Sequence, residues 1–332
     1  MPFFFPSPPL PLSNFINQLP HPQVLIDLSG GAGTGKSTLL RTIVQYIERM
    51  TGLTTLTKVA AYTNSASSHF LGGQTLHRLF HINVPRCDSK NQSGKDVRPL
   101  AGDQLAAIQL EHKNVILIII DEKSMVGQWM LYAVDQRCRQ ARPECSTLPF
   151  GGMNVLLAGD PAQLPPVGDL ASYSTGGKCS RQQAAGRLLY EQFTESYILT
   201  DSMCQAGSQN SEFRDQLNRL SNGTFTKEDW LAWRKRSLSK LDPATQKLFE
   251  ESGTKLCALK VDMKTFNMSG LERTGMPLLV IHSKNSSGAA SFPSDRVGNI
   301  QNMIPIAKTC KVVLTENLWP DAKLFNSSQG SV

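Results

Sequence analysis

The sequence has little of what marks a secreted, zinc-binding or membrane protein. Its 332 residues include seven cysteines, which form no C-x-x-C pair and no cysteine–histidine spacing typical of a metal site. No stretch approaches the roughly 18 consecutive apolar residues that a membrane-spanning helix needs. We therefore expect free thiols in a reducing compartment, with no disulfide framework, zinc site or membrane contact.

The amino-terminal segment also lacks the features of a targeting sequence. The run MPFFFPSPPLPL carries no basic residue before its apolar residues, and its prolines disfavour a helix. We predict that residues 1–22 are a proline-rich disordered leader and not a signal or transit peptide.

The composition is that of a folded protein with a mild excess of basic residues. Hydrophobic residues make up 40% of the chain and charged residues 18%, as in ordinary globular domains. The net charge of +7 favours a polyanionic partner, yet many soluble proteins are equally basic. The length is sufficient for two domains with separate hydrophobic cores.

After the leader, apolar runs alternate with a glycine loop and amphipathic segments. We predict a helix at Lys36–Met50 and strands at Val24–Leu28, Val115–Ile120, Asn154–Ala158 and Tyr197–Leu199. Continuous apolar runs of this kind are typical of central parallel strands that are covered on both faces. The first half of the chain therefore predicts an α/β, doubly wound parallel sheet.

The remaining segments are less clearly patterned. Residues 86–103 and 171–184 are polar, and we predict loops there. In the second half, apolar runs at Leu278–Ile281 and Lys311–Leu314 predict strands, and spaced apolar residues predict helices between residues 213 and 233. These elements indicate a second α/β unit.

Residues 30–37 carry the first chemical motif. Their sequence, GGAGTGKS, matches G-x-x-x-x-G-K-[ST] and lies between a predicted strand and a predicted helix, as a phosphate-binding P-loop requires. Glycines allow backbone N–H groups to turn towards phosphates, Lys36 can reach the β- and γ-phosphates, and the Ser37 hydroxyl can bind Mg²⁺. The residues predicted to contact ATP are Gly30, Gly31, Ala32, Gly33, Thr34, Gly35, Lys36, Ser37 and Thr38.

An apolar run that ends in two carboxylates supplies the second motif. The sequence VILIIIDE occupies residues 115–122, so Asp121 and Glu122 follow a buried strand. We predict that Asp121 binds the magnesium ion and that Glu122 orients or deprotonates an attacking water molecule. The pair is a weak signal alone, and the P-loop makes it specific.

A third polar segment, GDPAQLPPV at residues 159–167, follows another predicted strand. From this position Gln163 could sense the γ-phosphate beside Asp121 and Glu122. A polar loop that prolines stiffen is an equally good interpretation of these residues.

Together these motifs resemble those of the Pif/RecD-like DNA helicases of superfamily one, especially the Helitron-type members. The matching segments are GGAGTGKST (30–38), GGQTLHRLFHI (72–82), IIIDEKSMV (118–126), LPFGG (148–152), GDPAQLPPV (159–167), GRLLYEQF (186–193), LTDSMCQ (199–205) and EFRDQLNRLSNG (212–223). They follow the order of the family over most of the chain.

The resemblance implies a P-loop NTPase with a RecA-like fold that uses ATP to move 5′→3′ along single-stranded DNA and to separate duplexes at junctions. The residues implied in catalysis are Lys36, Asp121, Glu122 and Gln163, and those implied in DNA contact are Thr63, Gln74, Thr75 and His77. His77 could instead be a packed core residue. The resemblance further implies a role in DNA repair, recombination or telomere maintenance, and hence the nucleus, with the mitochondrion as the alternative. We expect a monomer.

The sequence departs from the family pattern at several positions. Lys123 stands where the family usually has isoleucine, Asn64 where it has glycine, and Cys204 where it has an arginine that neutralises γ-phosphate charge.

The resemblance also divides the chain into domains. It implies a RecA-like ATPase domain at 23–205, a partial second RecA-like domain at 206–318 and the start of an inserted β domain at 319–332. The last motif of the family has no counterpart in the sequence, so we expect a truncated or diverged copy.

Two other functions compete with the helicase. A non-motor module that binds ATP and DNA, a remnant of a transposon-type helicase, is favoured by Cys204. A small-molecule kinase would need a lid with catalytic arginines soon after the P-loop helix, and the sequence shows none there.

Overall fold

The computed structural model describes residues 22–67, 70, 72–82, 97–201, 203, 210–284, 302–315, 318–319, 322, 324 and 328–332. The chain divides into two compact units, residues 1–214 and residues 215–332. The leader predicted at residues 1–22 lies outside the described residues, apart from Pro22.

The first unit alternates strands and helices. In chain order they are β1 (Leu25–Gly30), α1 (Lys36–Thr51), β2 (Thr57–Ala61), α2 (Asn64–Ser67), β3 (Gln74–Thr75), α3 (Leu76–Leu79), α4 (Gly102–His112), β4 (Leu117–Asp121), α5 (Gln128–Ala141), β5 (Asn154–Gly159), α6 (Arg181–Tyr190) and β6 (Glu195–Leu199). The helix and the four strands predicted for this half of the chain are confirmed within a few residues.

The six strands form one parallel sheet in the order β3-β2-β4-β5-β1-β6. The register pairs Leu28 with Ala158 and Ile120 with Leu157, so β1, β5 and β4 end almost level with one another. The side of the sheet at which all strands end is called the carboxyl edge below. This order confirms the predicted α/β, doubly wound parallel sheet, in which ligands bind outside the carboxyl ends of the strands.

Both faces of the sheet are covered, which explains the continuous apolar runs. Ile119 of β4 packs with Leu40 of α1 on one face. Its neighbour Ile120 packs on the other face, in a cluster with Leu131 of α5 and Leu189 of α6. Successive side chains of a strand point to opposite faces, so a strand covered on both sides is apolar at every position.

Two predicted loops are partly helical. Residues 171–184 were predicted to be a loop, but α6 begins at Arg181 because Ser180 and Gln183 form a capping box. Ser180 Oγ accepts from the Gln183 amide at 3.2 Å, and the Gln183 side chain accepts from the Ser180 amide at 2.9 Å. Helix α4 likewise begins at Gly102 inside the predicted loop 86–103, of which residues 86–96 lie outside the described residues.

The second unit combines helices with short antiparallel pairs. Its elements are α7 (Ser211–Ser221, which begins in the first unit), α8 (Lys227–Arg234), α9 (Pro243–Ser252), α10 (Lys260–Arg273), β7 (Leu279–His282), β8 (Met303–Ile306), β9 (Lys311–Val313) and β10 (Gln329–Ser331). Strands β7 and β8 pair with each other, as do β9 and β10. The two predicted strands are thus confirmed, and a second RecA-like domain stays a prediction. Among the described helices, none has the length and apolar character to span a membrane.

Candidate nucleotide and nucleic-acid site

The loop between β1 and α1 has the backbone geometry of a phosphate cradle. Gly33 and Gly35 adopt left-handed conformations (φ 77° and 89°), which residues with a side chain rarely adopt. At Gly30 a Cβ atom would lie 2.6 Å from Thr34 Oγ1 and 3.0 Å from the Leu199 carbonyl oxygen. No side chain caps α1, so the N–H groups of its first turn are available to an anion, which the helix dipole also favours.

Lys36 lies across the mouth of this loop. Its Nζ donates to the carbonyl oxygens of Gly30 at 2.6 Å and Gly31 at 2.8 Å. The Thr34 hydroxyl closes the turn by donating to the same Gly31 oxygen at 2.9 Å. Phosphate oxygens can replace these carbonyls as acceptors for the ammonium group. The predicted contacts Ala32 and Thr38 are exposed.

The two predicted carboxylates follow β4. Asp121 is buried, and its Oδ1 accepts a 2.9 Å hydrogen bond from the backbone N–H of Glu122. Glu122 has a left-handed backbone (φ 60°, ψ 42°). A residue with a side chain occupies this region only where its surroundings hold it there. The direction of the Glu122 carboxylate is therefore set by a strained turn at the end of the strand.

The P-loop and the acidic pair lie at the same edge of the sheet. Strand β5 separates β1 from β4, and because neighbouring strands lie about 4.8 Å apart, their ends are about 10 Å apart. This spacing leaves room for a phosphate chain between Lys36 and Asp121. The Ser37 hydroxyl and the Asp121 carboxylate are hard oxygen donors of the kind Mg²⁺ binds together with phosphate oxygens, so the residues fit the ion.

The segment after β5 brings Gln163 to the carboxyl edge. Asp160 organises the turn, because its Oδ1 accepts from the Ala162 amide at 3.0 Å and its carbonyl oxygen accepts from the Gln163 amide at 3.1 Å. The Gln163 side chain is exposed and donates to Asp160 Oδ2 at 3.4 Å. Gln163 thus follows the strand that lies between β1 and β4.

A buried charged network, which the sequence did not predict, lies next to the acidic pair. Lys123 Nζ forms an ion pair with Asp27 Oδ1 and donates to Ser29 Oγ at 2.7 Å. The Tyr190 hydroxyl donates to Asp27 Oδ2 at 2.8 Å. Burial lowers the pKa of Lys123, and its hydrogen bond to Asp27 opposes that change. Burial also raises the pKa of Tyr190, so its phenol stays a donor. The sequence feature that could have indicated this network is Asp27, a charged residue inside the apolar run of β1.

The residues predicted to contact DNA lie at the other end of the carboxyl edge, where β2 and β3 end. Thr63 Oγ1 accepts from the Ala66 amide at 3.3 Å, and Thr75 Oγ1 accepts from the Arg78 amide at 3.3 Å. Both hydroxyls therefore stabilise the first turn of a short helix. Gln74 is half-buried in β3. The structure brings these residues together at one edge, and it assigns local structural roles to two of them.

His77 and Arg78 lie in the next turn. The His77 ring is half-buried and contacts the Tyr62 ring edge-on, with centroids 5.5 Å apart. Burial lowers the pKa of His77, so the neutral imidazole offers a hydrogen bond but no charge to a phosphate at pH 7. Arg78 is exposed and was not among the predicted contacts, although its charge beside the predicted segment was an available signal.

The chain returns to the P-loop after β6. The Met203 amide donates to the Gly33 carbonyl oxygen at 2.8 Å, so position 204 follows a residue that touches the phosphate cradle. Cys204, which stands where the resembling family has an arginine, lies outside the described residues.

Sequence comparison identifies relatives over most of the chain. Residues 17–230 match the family model of the PIF1-like helicases. The ATP-dependent DNA helicase RRM3 of Saccharomyces cerevisiae is 27% identical over 316 residues, covering 92% of this chain and 39% of the relative. The ATP-dependent DNA helicase Pif1 of Bdellovibrio bacteriovorus is 34% identical over 143 residues, which is 42% of this chain and 29% of the relative. The chain spans about a third of the length of these relatives.

Structural comparison shows the same fold. The crystal structure of Pif1 helicase from Candida albicans aligns with 97% of this chain and 66% of its own, at a TM-score of 0.66 and 22% identity. A Bacteroides Pif1 crystallised bound to single-stranded DNA aligns with 96% of this chain and 67% of its own, at a TM-score of 0.55 and 22% identity. The likeness identifies the six-stranded sheet as a RecA-like P-loop core.

Proposed function

This chain belongs to the PIF1-like helicase family, and on that premise we propose that it is an ATP-dependent DNA helicase that hydrolyses ATP with Mg²⁺ when single-stranded DNA is bound. Movement runs 5′→3′ and separates duplexes at junctions, as the sequence resemblance implies. We further propose that the protein acts as a monomer in DNA repair, recombination and telomere maintenance, in the nucleus or alternatively in the mitochondrion.

One observation supports the hydrolytic activity above all others. The P-loop, the Asp121–Glu122 pair and the Gln163 segment follow β1, β4 and β5, which are neighbours in the sheet. A protein that only binds nucleotide needs the P-loop, whereas a carboxylate in the position of Glu122 serves to activate water. The placement of all three segments at one edge therefore favours hydrolysis over binding alone.

Each residue has a distinct proposed role. Lys36 exchanges its contacts with Gly30 and Gly31 for oxygens of the β- and γ-phosphates. Ser37 and Asp121 would hold Mg²⁺, which would neutralise phosphate charge when bound. The Glu122 carboxylate accepts a hydrogen bond from the attacking water and orients it. Gln163 contacts the γ-phosphate and relays its presence along the carboxyl edge.

We propose that DNA phosphates bind at the β2–β3 end of the same edge. Backbone N–H groups and polar side chains there grip the sugar–phosphate backbone without reading the base sequence. The proposed contacts are Thr63, Gln74, Thr75 and His77, together with Arg78. Because Thr63 and Thr75 also cap helices, a shift of either helix changes the DNA contacts.

Measuring ATP turnover with and without single-stranded DNA tests the proposal. We expect DNA to stimulate turnover about tenfold, which corresponds to about 1.4 kcal/mol of activation free energy. The variant Lys36→Ala should lose about 100-fold or more of that turnover, because the lysine stabilises charge on the transferred phosphate. Lys113→Ala is the matched control. Lys113 is exposed and lies just before β4, on the side of the sheet where the strands begin. Turnover that survives Lys36→Ala would contradict the proposal.

The alternative is a non-motor module that binds ATP and DNA without turnover. Cys204 favours it, because a thiol cannot replace an arginine that neutralises γ-phosphate charge. Binding of an ATP analogue and of an oligonucleotide, with no turnover by the parent chain, would support this alternative. In that case the variant Cys204→Arg should restore measurable hydrolysis.

A further inference from the structure

We propose that the buried Lys123–Asp27 ion pair holds Glu122 in register with the P-loop strand. Lys123 is then a positioning residue for the proposed hydrolysis. This inference rests on the proposed function and deepens it, because it explains how the carboxylate after β4 keeps a fixed position relative to the phosphate cradle after β1.

The ion pair connects three strands of the sheet. Lys123 follows β4, its side chain passes Gly159 at the end of β5, and its Nζ reaches Asp27 in β1. A Cβ atom at Gly159 would lie 2.8 Å from Lys123 N and 2.9 Å from Lys123 Cγ. Because residue 159 is a glycine, the Lys123 side chain has space to pass the end of β5 and reach β1.

The ion pair is largely buried, and its carboxylate accepts further hydrogen bonds. Asp27 and Lys123 are both buried. Asp27 accepts hydrogen bonds from the Tyr190 hydroxyl at 2.8 Å and from Ser29 Oγ at 3.2 Å, in addition to its bond with the lysine. A largely buried pair with additional hydrogen bonds holds its geometry more strictly than an exposed pair, because little of either side chain is open to competing water.

The anchored lysine is adjacent to the strained glutamate. Glu122 has a left-handed backbone, and its carbonyl oxygen accepts from the Met125 amide at 3.0 Å. The Lys123 carbonyl oxygen accepts from the Val126 amide at 2.9 Å. These bonds make residues 122–126 one tight turn, and the Lys123 side chain ties that turn to β1. Release of the lysine allows Glu122 to relax towards a commoner backbone conformation, which changes the direction of its carboxylate.

The sequence context strengthens the inference. The family that the sequence resembles usually has isoleucine where this chain has Lys123, and an apolar side chain cannot pair with a carboxylate. Here the lysine meets a buried aspartate, so the charge at position 123 has a specific partner in β1.

The test uses variants that remove both charges together. The double variant Asp27→Leu/Lys123→Met keeps approximately the side-chain volume and avoids the uncompensated buried charge that either single variant would leave. The matched control is Lys58→Met/Glu111→Leu, which removes a partly exposed 3.0 Å ion pair between β2 and α4. Each protein is measured for thermal unfolding, affinity for a fluorescent ATP analogue, and DNA-stimulated ATP turnover.

We expect the double variant at Asp27 and Lys123 to remain folded and to lose kcat about 10- to 100-fold, since displacing a catalytic group by about 1 Å costs a factor of this order. Affinity for the ATP analogue should change less than about threefold, because the P-loop contacts remain. The control at Lys58 and Glu111 should keep both quantities. An unchanged kcat in a folded double variant overturns the inference. A loss of kcat together with an equal loss of nucleotide affinity also overturns it.

Amide hydrogen exchange tests the same inference without turnover. In the double variant, the amides of Glu122, Met125 and Val126 should exchange about tenfold faster than in the parent, while those of β1 keep their rates. A parent chain that hydrolyses no ATP would contradict the proposed function, and the exchange rates would still decide whether the ion pair holds the turn. Equal rates in parent and double variant overturn the inference.

Discussion

The two ends of the carboxyl edge are built from different parts of the chain. At the β1 end, the candidate nucleotide site consists mainly of backbone: glycines with left-handed φ and the uncapped first turn of α1. At the β2–β3 end, the candidate DNA site consists mainly of side chains, and the hydroxyls of Thr63 and Thr75 also cap helices. From this difference we expect a single substitution at the nucleotide site to cause a large loss of function. A single substitution at the DNA site should lower DNA affinity by a limited factor.

The largest expected effect lies at the nucleotide end and concerns one side chain. Glu122→Gln keeps the shape of the residue but removes the base, so kcat should fall about 100-fold or more while nucleotide affinity is retained. Turnover and binding of a fluorescent ATP analogue, measured on the same preparation, check this. An equal loss of both quantities would show that Glu122 acts in binding, and the contrast between the two ends would then be less sharp.

The second prediction tests whether the backbone carries the nucleotide end. Gly30→Ala should lower nucleotide affinity about tenfold, because its Cβ would lie 3.0 Å from the Leu199 carbonyl oxygen and must displace the loop or β6. Gly31→Ala is the matched comparison, since the nearest atom to its Cβ would be 4.0 Å away. Its loss of affinity should be smaller by about threefold or more. Equal losses for the two variants would contradict the steric argument.

The third prediction tests the limited loss of affinity expected at the DNA end. Arg78→Ala should weaken binding of a single-stranded oligonucleotide about threefold to tenfold and reduce the slope of log affinity against log salt by about 0.7, the value for one phosphate contact on a single strand. Fluorescence anisotropy at several salt concentrations gives both numbers. Lys113→Ala, which removes an exposed cation on the side of the sheet where the strands begin, should leave the slope unchanged.

The smallest expected effect is the pH dependence of stability. Burial lowers the pKa of His77 below its ordinary value of 6.5, so the unfolded chain takes up a proton first as the pH falls. The stability that neutral His77 contributes is therefore complete above about pH 6.5 and is lost as the pH falls towards the folded-state pKa. Urea unfolding at about pH 7.5 and about pH 5.5 should show a smaller loss of free energy of unfolding for His77→Gln than for the parent.

Buried His112, whose pKa burial also lowers, accounts for part of the pH dependence that His77→Gln retains. The same loss of unfolding free energy in parent and variant would show that the pKa of His77 is equal in the folded and unfolded chains, so that His77 does not contribute to the pH dependence.

The sequence predicted the elements whose signals are local. Strands β1, β4 and β5 are apolar runs, and each precedes a recognisable motif. By contrast, β2 (TKVAA) begins with two polar residues and β3 has two residues, so neither stands out from its surroundings. The ion pair between Lys123 and Asp27 was not predicted either. Its two residues belong to strands that only the tertiary fold brings to the two sides of β5. The roles of the site residues stay predictions, because position at the edge shows where a residue lies and not what it does.

The placement of β1 between β5 and β6 has a consequence for biosynthesis. Val24 bonds to Asn154, which is 130 residues further along the chain, and Asp27 bonds to Tyr190, which is 163 residues further along. While the ribosome makes the protein, the strand that carries the P-loop waits unpaired for most of the first unit, and partners so distant slow its folding. A nascent chain that stalls before residue 154 contains the whole P-loop sequence but neither of the strands that border β1. Such a fragment is a candidate for chaperone binding or degradation rather than for nucleotide binding.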